Sequence, residues 1–367
     1  MLRPALILLI ATVACRGGSG PEVRVGAVPP PVSPPEGASP RLDPPASPPG
    51  RGARDRDRVS GDSLADLAIA RAAAERAALT GLEAISLLGD SLRRLPMSAE
   101  ARGQQQLLLA EAERRWARDS NPDDLIWVGR RLAYLGRYNE ALATFGSGVE
   151  RFPGDPRFLR HRGHRMLTLR QFAQAEADFA EAARMVAGRP DEVEPDGLPN
   201  ARGIPTSTLQ SNIHYHLGLA RYVQGDFAGA LEAYDDARAV SRNNVLRVAT
   251  DYWRYLTLRR LGRSAEAAAS VEWVTPLVDI IENAAYHRLI LFYRGLLPLD
   301  ELEPEGADAL DDATVAYGLG AWELLEGRPE AAMRRFERLL TGGNWPSFGY
   351  VAAEAELSRL SRLPSRN

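Results

Sequence analysis

A 34-residue period constrains the fold of this chain more than any other feature of its 367 residues. The first unit begins at Pro122, and further units begin at residues 156, 211, 248 and 313. A period of this length predicts stacked pairs of short helices, because one pair cannot bury its apolar face alone. The eighth, twentieth and twenty-fourth positions hold, in turn, Gly129, Gly163, Gly218, Tyr255 and Gly320; Ala141, Ala175, Ala230, Ala267 and Ala332; and Phe145, Phe179, Tyr234, Val271 and Phe336.

The residue types at these positions suit closely packed helices. Glycine and alanine allow two helices to approach, and a larger side chain would overpack the contact at about 1–3 kcal/mol. The aromatic ring one turn after the alanine fills the space beside the small residue. The residue at the fifteenth position, usually glycine, is expected to end the first helix of each pair. The residues at that position are Gly136, Arg170, Gly225, Gly262 and Gly327.

This pattern resembles the tetratricopeptide repeat. The resemblance implies an all-α fold: a right-handed α-solenoid of antiparallel helix pairs, whose first helices line a concave groove. It also implies a chain that binds a protein or an extended peptide, since members of the family are not normally catalysts. The fourth unit departs from the pattern, with Tyr255 in place of the eighth-position glycine and Val271 in place of the aromatic residue. The resemblance covers Pro122–Arg189, Ser211–Asn244, Val248–Ile281 and Ala313–Pro346.

Two helical segments are expected to flank the repeats. Residues 61–121 are predicted to form a helical N-terminal cap, because terminal repeats of a stack must differ from the others to stay soluble. Residues 347–367 are predicted to form a C-terminal capping helix and tail. The three helices predicted for the N-terminal cap are one from Leu64, one over Leu82–Leu95 and one from Ser98.

Two insertions interrupt the predicted solenoid over residues 122–346. Residues 190–210 form an acidic segment rich in proline and glycine, which is either a solvated loop on the rim or a lid over the groove. Residues 282–312 contain one apolar helix, Ala284 to Tyr293, and are interpreted as a repeat with a shortened second helix.

The N-terminal 60 residues indicate export and attachment to a membrane. Residues 1–14 are typical of a signal peptide, with Arg3 ahead of an apolar run too short to span a bilayer. The small residues before Cys15 resemble a bacterial lipobox, which implies lipidation of that cysteine; ordinary cleavage after Ala14 is the alternative. Residues 15–60 are rich in proline and glycine and are expected to form a disordered tether. The chain is thus interpreted as a tetratricopeptide lipoprotein of the bacterial cell envelope, or alternatively as a soluble secreted or periplasmic protein.

The composition argues against several kinds of chemistry. The net charge of −3 provides no basic field for nucleic acid, and no nucleic-acid partner is expected. The sequence contains no lysine, which excludes a Walker phosphate loop and Schiff-base catalysis. His161 and His164 lie three residues apart, but two histidines supply at most half of a zinc site. No catalytic residue, metal or cofactor is therefore expected.

A basic stripe on the first helix of the second repeat is the first candidate binding surface. Positions corresponding to the groove of the family hold Arg157, Arg160, His161 and His164, and Arg130 takes the equivalent place one repeat earlier. Such a stripe suits an acidic partner. The alternative is that these arginines are solvated or pair with the acidic loop at 191–196.

Polar and aromatic residues on later first helices extend the candidate surface. Tyrosine offers rigid apolar area with a polar tip and is enriched in binding surfaces. The alternative is that the tyrosines pack between repeats. The residues at groove positions are Asn212, Tyr215, His216, Tyr252 and Tyr317.

The resulting hypothesis is a membrane-anchored scaffold that binds a protein or extended peptide, possibly an acidic one, in its concave groove. Its role would lie in envelope assembly or trafficking. A binder of an anionic small molecule or polymer, acting through the stripe of arginine and histidine, is the alternative.

Overall fold

A computed structural model describes residues 69, 71–195, 197–200, 202–302 and 309–362, with the backbone alone described for residues 309–312. All of them belong to one compact unit that spans residues 53–367. The predicted signal peptide, Cys15 and the tether lie outside the described residues. Among the helices that are described, none is long and apolar enough to cross a membrane.

The described chain is built almost wholly from helices. In order, its elements are α1 (residues 71–80), β1 (Leu82–Ile85), β2 (Ser91–Arg93), α2 (Ala99–Asp119), α3 (Pro122–Tyr134), α4 (Tyr138–Arg151), α5 (Pro156–Thr168), α6 (Phe172–Val186), α7 (Leu209–Gln224), α8 (Phe227–Val240), α9 (Asn244–Arg260), α10 (Ser264–Ser270), α11 (Ala284–Tyr293), α12 (Leu299–Leu302), α13 (Ala309–Leu325), α14 (Pro329–Thr341) and α15 (Phe348–Leu360).

The repeated helix pairs are held together by contacts between small and aromatic residues. A Cβ atom added to Gly129 would lie 2.4 Å from the ring of Phe145, which packs directly on the glycine backbone. Gly218 and Gly320 are covered in the same way by the twenty-fourth-position rings of their own repeats, and Gly163 somewhat less tightly. The alanine at the twentieth position is fully buried in every repeat. The chain therefore has the tetratricopeptide fold, and the all-α solenoid expected from the sequence is confirmed.

In the fourth pair, the large and the small residue exchange places between the eighth and twenty-fourth positions. Tyr255 and Val271 are both buried in the same apolar cluster, so a large residue occupies the glycine position and a smaller one the aromatic position. The second helix of this pair, α10, is only 7 residues long. Helix α11 follows and covers the apolar segment that was expected to be helical.

The N-terminal cap differs from its prediction, because residues 82–95 form a β-hairpin instead of a helix. Strands β1 and β2 pair antiparallel, with Ala84 opposite Leu92 and Ile85 opposite Ser91. The turn between them is closed by Ser86, whose hydroxyl accepts hydrogen bonds from the backbone of Leu88 and Asp90. Serine and aspartate offer the backbone such alternatives to a helix.

Tertiary contacts explain why the hairpin is preferred to the helix that the apolar spacing predicted. The buried carboxylate of Glu83, on β1, accepts hydrogen bonds from the backbone and side chain of Asn139 at 2.9 and 2.8 Å. It also pairs with Arg94 at 2.6 Å. These contacts satisfy the N-terminal end of α4 from outside its own sequence, which local propensity cannot anticipate.

Helix α15 is the second departure from expectation. It was predicted to be a capping helix, and a cap exposes one face to water. Every residue from Gly349 to Ser358 is instead buried. The helix packs against α13, α14 and α7, so it lies between helices of the third and fifth repeats instead of covering an end of the stack.

Buried ion pairs fix α15 against distant repeats. Glu354 is fully buried and pairs with Arg170 at 2.7 Å, while its other oxygen accepts the backbone N–H of Leu87 in the hairpin at 2.6 Å. Glu356, also buried, pairs with Arg260 at 3.0 Å and with Arg359 at 2.8 Å. The C-terminal helix is therefore part of the core of the repeats.

Candidate functional site

The loop at residues 190–210 packs on the first helices of repeats one and two. Arg130 donates a hydrogen bond to the carbonyl of Pro195 at 2.8 Å. At the other end of the loop, Arg202 pairs with Asp279 at 2.7 Å and Thr206 donates to Glu282 at 2.7 Å. These contacts tie the loop to α3 at one end and to the segment before α11 at the other, and the solvated loop on the rim and the lid over the groove remain the two interpretations.

Arg160 lies beneath this loop with its guanidinium almost fully buried. It pairs with Glu194 of the loop at 2.7 Å, and Asn212 donates to the same carboxylate at 2.8 Å. A second guanidinium nitrogen lies 3.0 Å from Nδ1 of His161, which accepts the hydrogen bond. The alternative weighed for this arginine, pairing with the acidic loop, is thus the one observed.

Arg157 lies one helical turn before Arg160, at the start of α5, and makes different ion pairs. It pairs with Asp155 and Asp123, each at 2.6 Å, and these carboxylates raise its pKa. Its partners are carboxylates at the ends of the first two repeats, so it contributes to the joint between them. The structure does not bring Arg157 into the stripe that the sequence suggested.

The histidines form a neutral cluster in the interior. His161 stacks on Phe145 with ring centroids 5.2 Å apart, and His164 contacts His216 at 4.6 Å. Phe348, at the start of α15, packs on both His164 and His216. Burial lowers the pKa of all three histidines, that of His216 to about 3. At neutral pH they act as uncharged polar groups.

The candidate tyrosines divide into core residues and one cavity residue. Tyr252 and Tyr317 are buried between repeats, and the hydroxyl of Tyr317 donates to that of Tyr222 at 3.0 Å. Neither is accessible to a partner, because close packing surrounds both rings. Tyr215 is partly buried, accepts a hydrogen bond from Trp253 at 2.9 Å and faces an open cavity.

That opening, called here the central cavity, has a volume of about 390 Å³. Its walls come from α5, α7, α9 and α11, with the 190–210 loop on one side and the start of α15 on another. The cavity is the space on the side of the first helices that neither α15 nor the 190–210 loop fills. Its walls include Arg160, His164, Asn212, Tyr215, His216 and Phe348.

A smaller space, called here the basic pocket, adjoins it through Arg160 and His164. It has a volume of about 150 Å³ and lies between α3 and α5. Sequence reasoning missed two of its polar residues, Tyr134 on α3 and Arg165, which follows His164 on α5. The spacing of α5 gave no signal for Arg165, since it lies outside the groove positions of the repeat. The polar residues of the basic pocket are Arg130, Tyr134, Arg160, His161, His164 and Arg165.

Within the described part of the chain, no group of three or more histidine, cysteine, aspartate or glutamate residues is placed to hold a metal ion. The arrangement offers binding chemistry: fixed cations, buried neutral histidines and an aromatic wall around two connected spaces.

Comparison with known proteins gives similarities to solved structures alone. No protein-family model and no curated protein matches the sequence. Among solved structures, the chain is similar to YrrB, described as a tetratricopeptide protein with an unusual peptide-binding site, at 14% identity and a TM-score of 0.36, covering 63% of this chain and 91% of that one. It is also similar to a tetratricopeptide protein from Parabacteroides merdae, at 16% identity and a TM-score of 0.37, covering 70% of this chain and 80% of that one.

A third similar structure is TTC0263 of Thermus thermophilus, a thermophilic tetratricopeptide protein, at 18% identity and a TM-score of 0.34, covering 65% of this chain and 100% of that one. These likenesses are partial. The chain is a tetratricopeptide-repeat protein in fold, and that assignment rests on its own repeated contacts between glycine and aromatic residues.

Proposed function

We propose that this chain is a tetratricopeptide scaffold that binds another protein by receiving a short segment of it in the central cavity. The observation that carries the proposal is the cavity itself. It has a volume of about 390 Å³ and is lined by four helices, α5, α7, α9 and α11. Specific binding pockets have volumes of roughly 300–1,000 Å³. A few residues of a partner fill such a space.

The burial of α15 argues for a short segment over an extended peptide that follows the whole groove. Displacing this helix would expose its apolar residues and break the buried ion pair between Arg170 and Glu354. Removing one partner of a buried ion pair typically costs about 3–5 kcal/mol. Access for a partner is therefore expected where the fold already has an opening.

The walls of the cavity favour a segment that is partly apolar and carries an acidic group. Tyr215, Tyr286 and Phe348 supply ring surface, and Asn212 offers hydrogen-bonding groups. Arg160, paired with Glu194, lies at the inner end, where the basic pocket begins and adds the positive charge of Arg130 and Arg165. Aromatic side chains with a few placed polar groups are typical of sites that recognise one ligand.

The proposal also includes anchoring to a membrane and a role in envelope assembly or trafficking. It rests on the apolar run before Cys15 and on the proline-rich segment after it. Two acyl chains suffice for stable anchoring, and an extended tether would carry the scaffold away from the bilayer surface. Replacing Cys15 with alanine should abolish incorporation of labelled palmitate and move the protein to the soluble fraction; unchanged fractionation and labelling would contradict lipidation at this residue.

Binding in the cavity can be tested by site-specific photocrosslinking in cells that express the full chain. A photoreactive amino acid at Ser207, on the wall of the cavity, should capture a discrete partner. The same amino acid at Glu232, which is exposed on α8, serves as the control and should capture none.

A second variant decides whether the capture reports on the cavity. Ala249→Phe places a ring in the same space, and it should remove the crosslink from Ser207 while the melting temperature shows that the fold is intact. A crosslink that persists in this variant, or equal capture from both photoreactive positions, would overturn the proposal.

A further inference from the structure

The basic pocket contains more positive than negative charge. Arg160 pairs with Glu194, but Arg130 and Arg165 have no carboxylate partner among the residues that the structure describes. Arg130 donates hydrogen bonds to the carbonyl of Pro195 and to the hydroxyl of Tyr134. Arg165 lies over the ring of Tyr138, 5.5 Å from its centroid. Among the residues that the structure describes, three guanidinium groups thus face a single carboxylate.

The neighbouring histidines do not change this balance at neutral pH. Burial and the adjacent arginines lower the pKa of His161 and of His164 well below the usual value, so both are uncharged. Burial lowers the pKa of Arg165 to about 10, which still leaves it protonated. Counted over the described residues alone, the excess charge of the pocket is therefore two positive charges, held on Arg130 and Arg165.

One of the arginines that line the pocket has an unmet hydrogen-bonding group, and the pocket has empty space. Nε of Arg160 is buried and has no hydrogen-bond partner within the described structure. Buried charges are normally paired, because an unpaired charge loses its hydration without compensation. The volume of about 150 Å³ equals that of roughly five water molecules, at about 30 Å³ each.

We propose that the basic pocket is a binding site for a phosphate-type dianion, held by Arg130, Arg160 and Arg165. A phosphate group carries close to two negative charges at neutral pH and has three or more acceptor oxygens, which matches the excess charge. Arginine is suited to it because the guanidinium group offers parallel N–H donors to two oxygens at once. Free phosphate and a phosphate monoester share this chemistry.

This site is independent of the proposed protein partner, since the charge balance of the pocket alone carries it. Titration calorimetry of the full chain with inorganic phosphate at pH 7.5 tests it directly. Phenyl phosphate represents the monoester, and acetate represents a singly charged anion. Both phosphate probes, or either one, should bind at least tenfold more tightly than acetate, and the tighter of the two identifies the source.

Matched arginine variants assign the binding to the pocket. Arg165→Met keeps the length of the side chain and removes its charge, and it should weaken phosphate binding at least tenfold. Arg184→Met, at an arginine whose side chain is 74% exposed on α6, should leave the affinity unchanged. Ala249→Phe, which fills the central cavity, should also leave it unchanged, so a failure of this site is distinguishable from a failure of the proposed function.

Thermal unfolding distinguishes phosphate binding by Arg165 from a purely structural role of this residue. Without phosphate, Arg165→Met should melt at a higher temperature than the parent, because it removes an uncompensated charge. Added phosphate should raise the melting temperature of the parent and not that of the variant. Absence of binding by both phosphate probes at millimolar concentration, or equal affinity in the parent and in Arg165→Met, would overturn the proposal.

Discussion

The repeated helix pairs and the C-terminal helix α15 are both fully packed, but they achieve it by different means. In the pairs, a ring covers a glycine at a fixed spacing, as Phe145 covers Gly129. In α15, residues on all sides are buried and two of them, Glu354 and Glu356, are carboxylates held by arginines from other repeats. Shape complementarity with neighbours builds the stack, whereas ion pairs between distant residues determine where it closes.

Arg170 links the two regions. It occupies the turn position that is glycine in the other four repeats, and it adopts φ of 65°. The left-handed conformation costs a residue with a side chain roughly 1–2 kcal/mol. The buried ion pair between Arg170 and Glu354 offsets this cost. The departure from the repeat pattern at residue 170 therefore marks a contact with α15.

The largest effect is expected from breaking the ion pair that holds α15. Glu354→Gln should lower the free energy of unfolding by about 3–5 kcal/mol, because it leaves Arg170 buried without its counter-charge. Urea denaturation measures the change.

Glu176→Gln is the matched control, since Glu176 pairs with Arg221 at 2.9 Å but both side chains are partly exposed. Pairs of that kind contribute less than about 1 kcal/mol. Equal destabilisation by the two variants would mean that α15 is not held by its buried charge.

An intermediate effect is expected from the packing of the repeats. Gly218→Ala should lower the free energy of unfolding by about 1–3 kcal/mol, because the added Cβ would lie 2.4 Å from the ring of Tyr234. Thermal or urea denaturation measures the difference.

Gly103→Ala serves as the control within α2, where an added Cβ meets nothing within 4 Å. That change should stabilise the protein by about 0.5–1 kcal/mol, since alanine favours helix over glycine. If Gly218→Ala were also stabilising, the contact between glycine and the aromatic ring would not be the element that joins the pair.

A further effect is expected from acidification, at the boundary between the repeats and α15. The pKa of His216 is about 3 in the folded chain, against 6.5 for an unperturbed histidine, so the unfolded chain binds more protons between these values. Stability is therefore complete above pH 6.5 and decreases as the pH falls, by up to about 1.4 kcal/mol per pH unit for this group.

His216→Gln should reduce the number of protons taken up on unfolding by about one half at pH 6.5 and by close to one at pH 5. Glutamine can still donate to the carbonyl of Asn212, which His216 contacts at 2.6 Å. An unaltered slope in His216→Gln would show that this imidazole is not buried in its neutral form.

The candidate site was predicted in part. The sequence placed Arg130, Arg160 and His164 on first helices, and the structure brings them to one pocket. It did not indicate Arg165, and it grouped with them Arg157, which lines neither the central cavity nor the basic pocket. Tyr252 and Tyr317 occupy groove positions of the repeat, yet α15 and α11 make those positions part of the core.

The sequence by itself determined the repeats, because the spacing of glycine, alanine and aromatic residues is local and recurs within each helix pair. Only the tertiary structure decided the hairpin over residues 82–95, the burial of α15 and the excess charge of the basic pocket. Arg170 and Glu354 are separated by 184 positions, and the 190–210 loop covers Arg160 by folding back from the next repeat. Such contacts depend on the curvature of the whole solenoid, which no single period encodes.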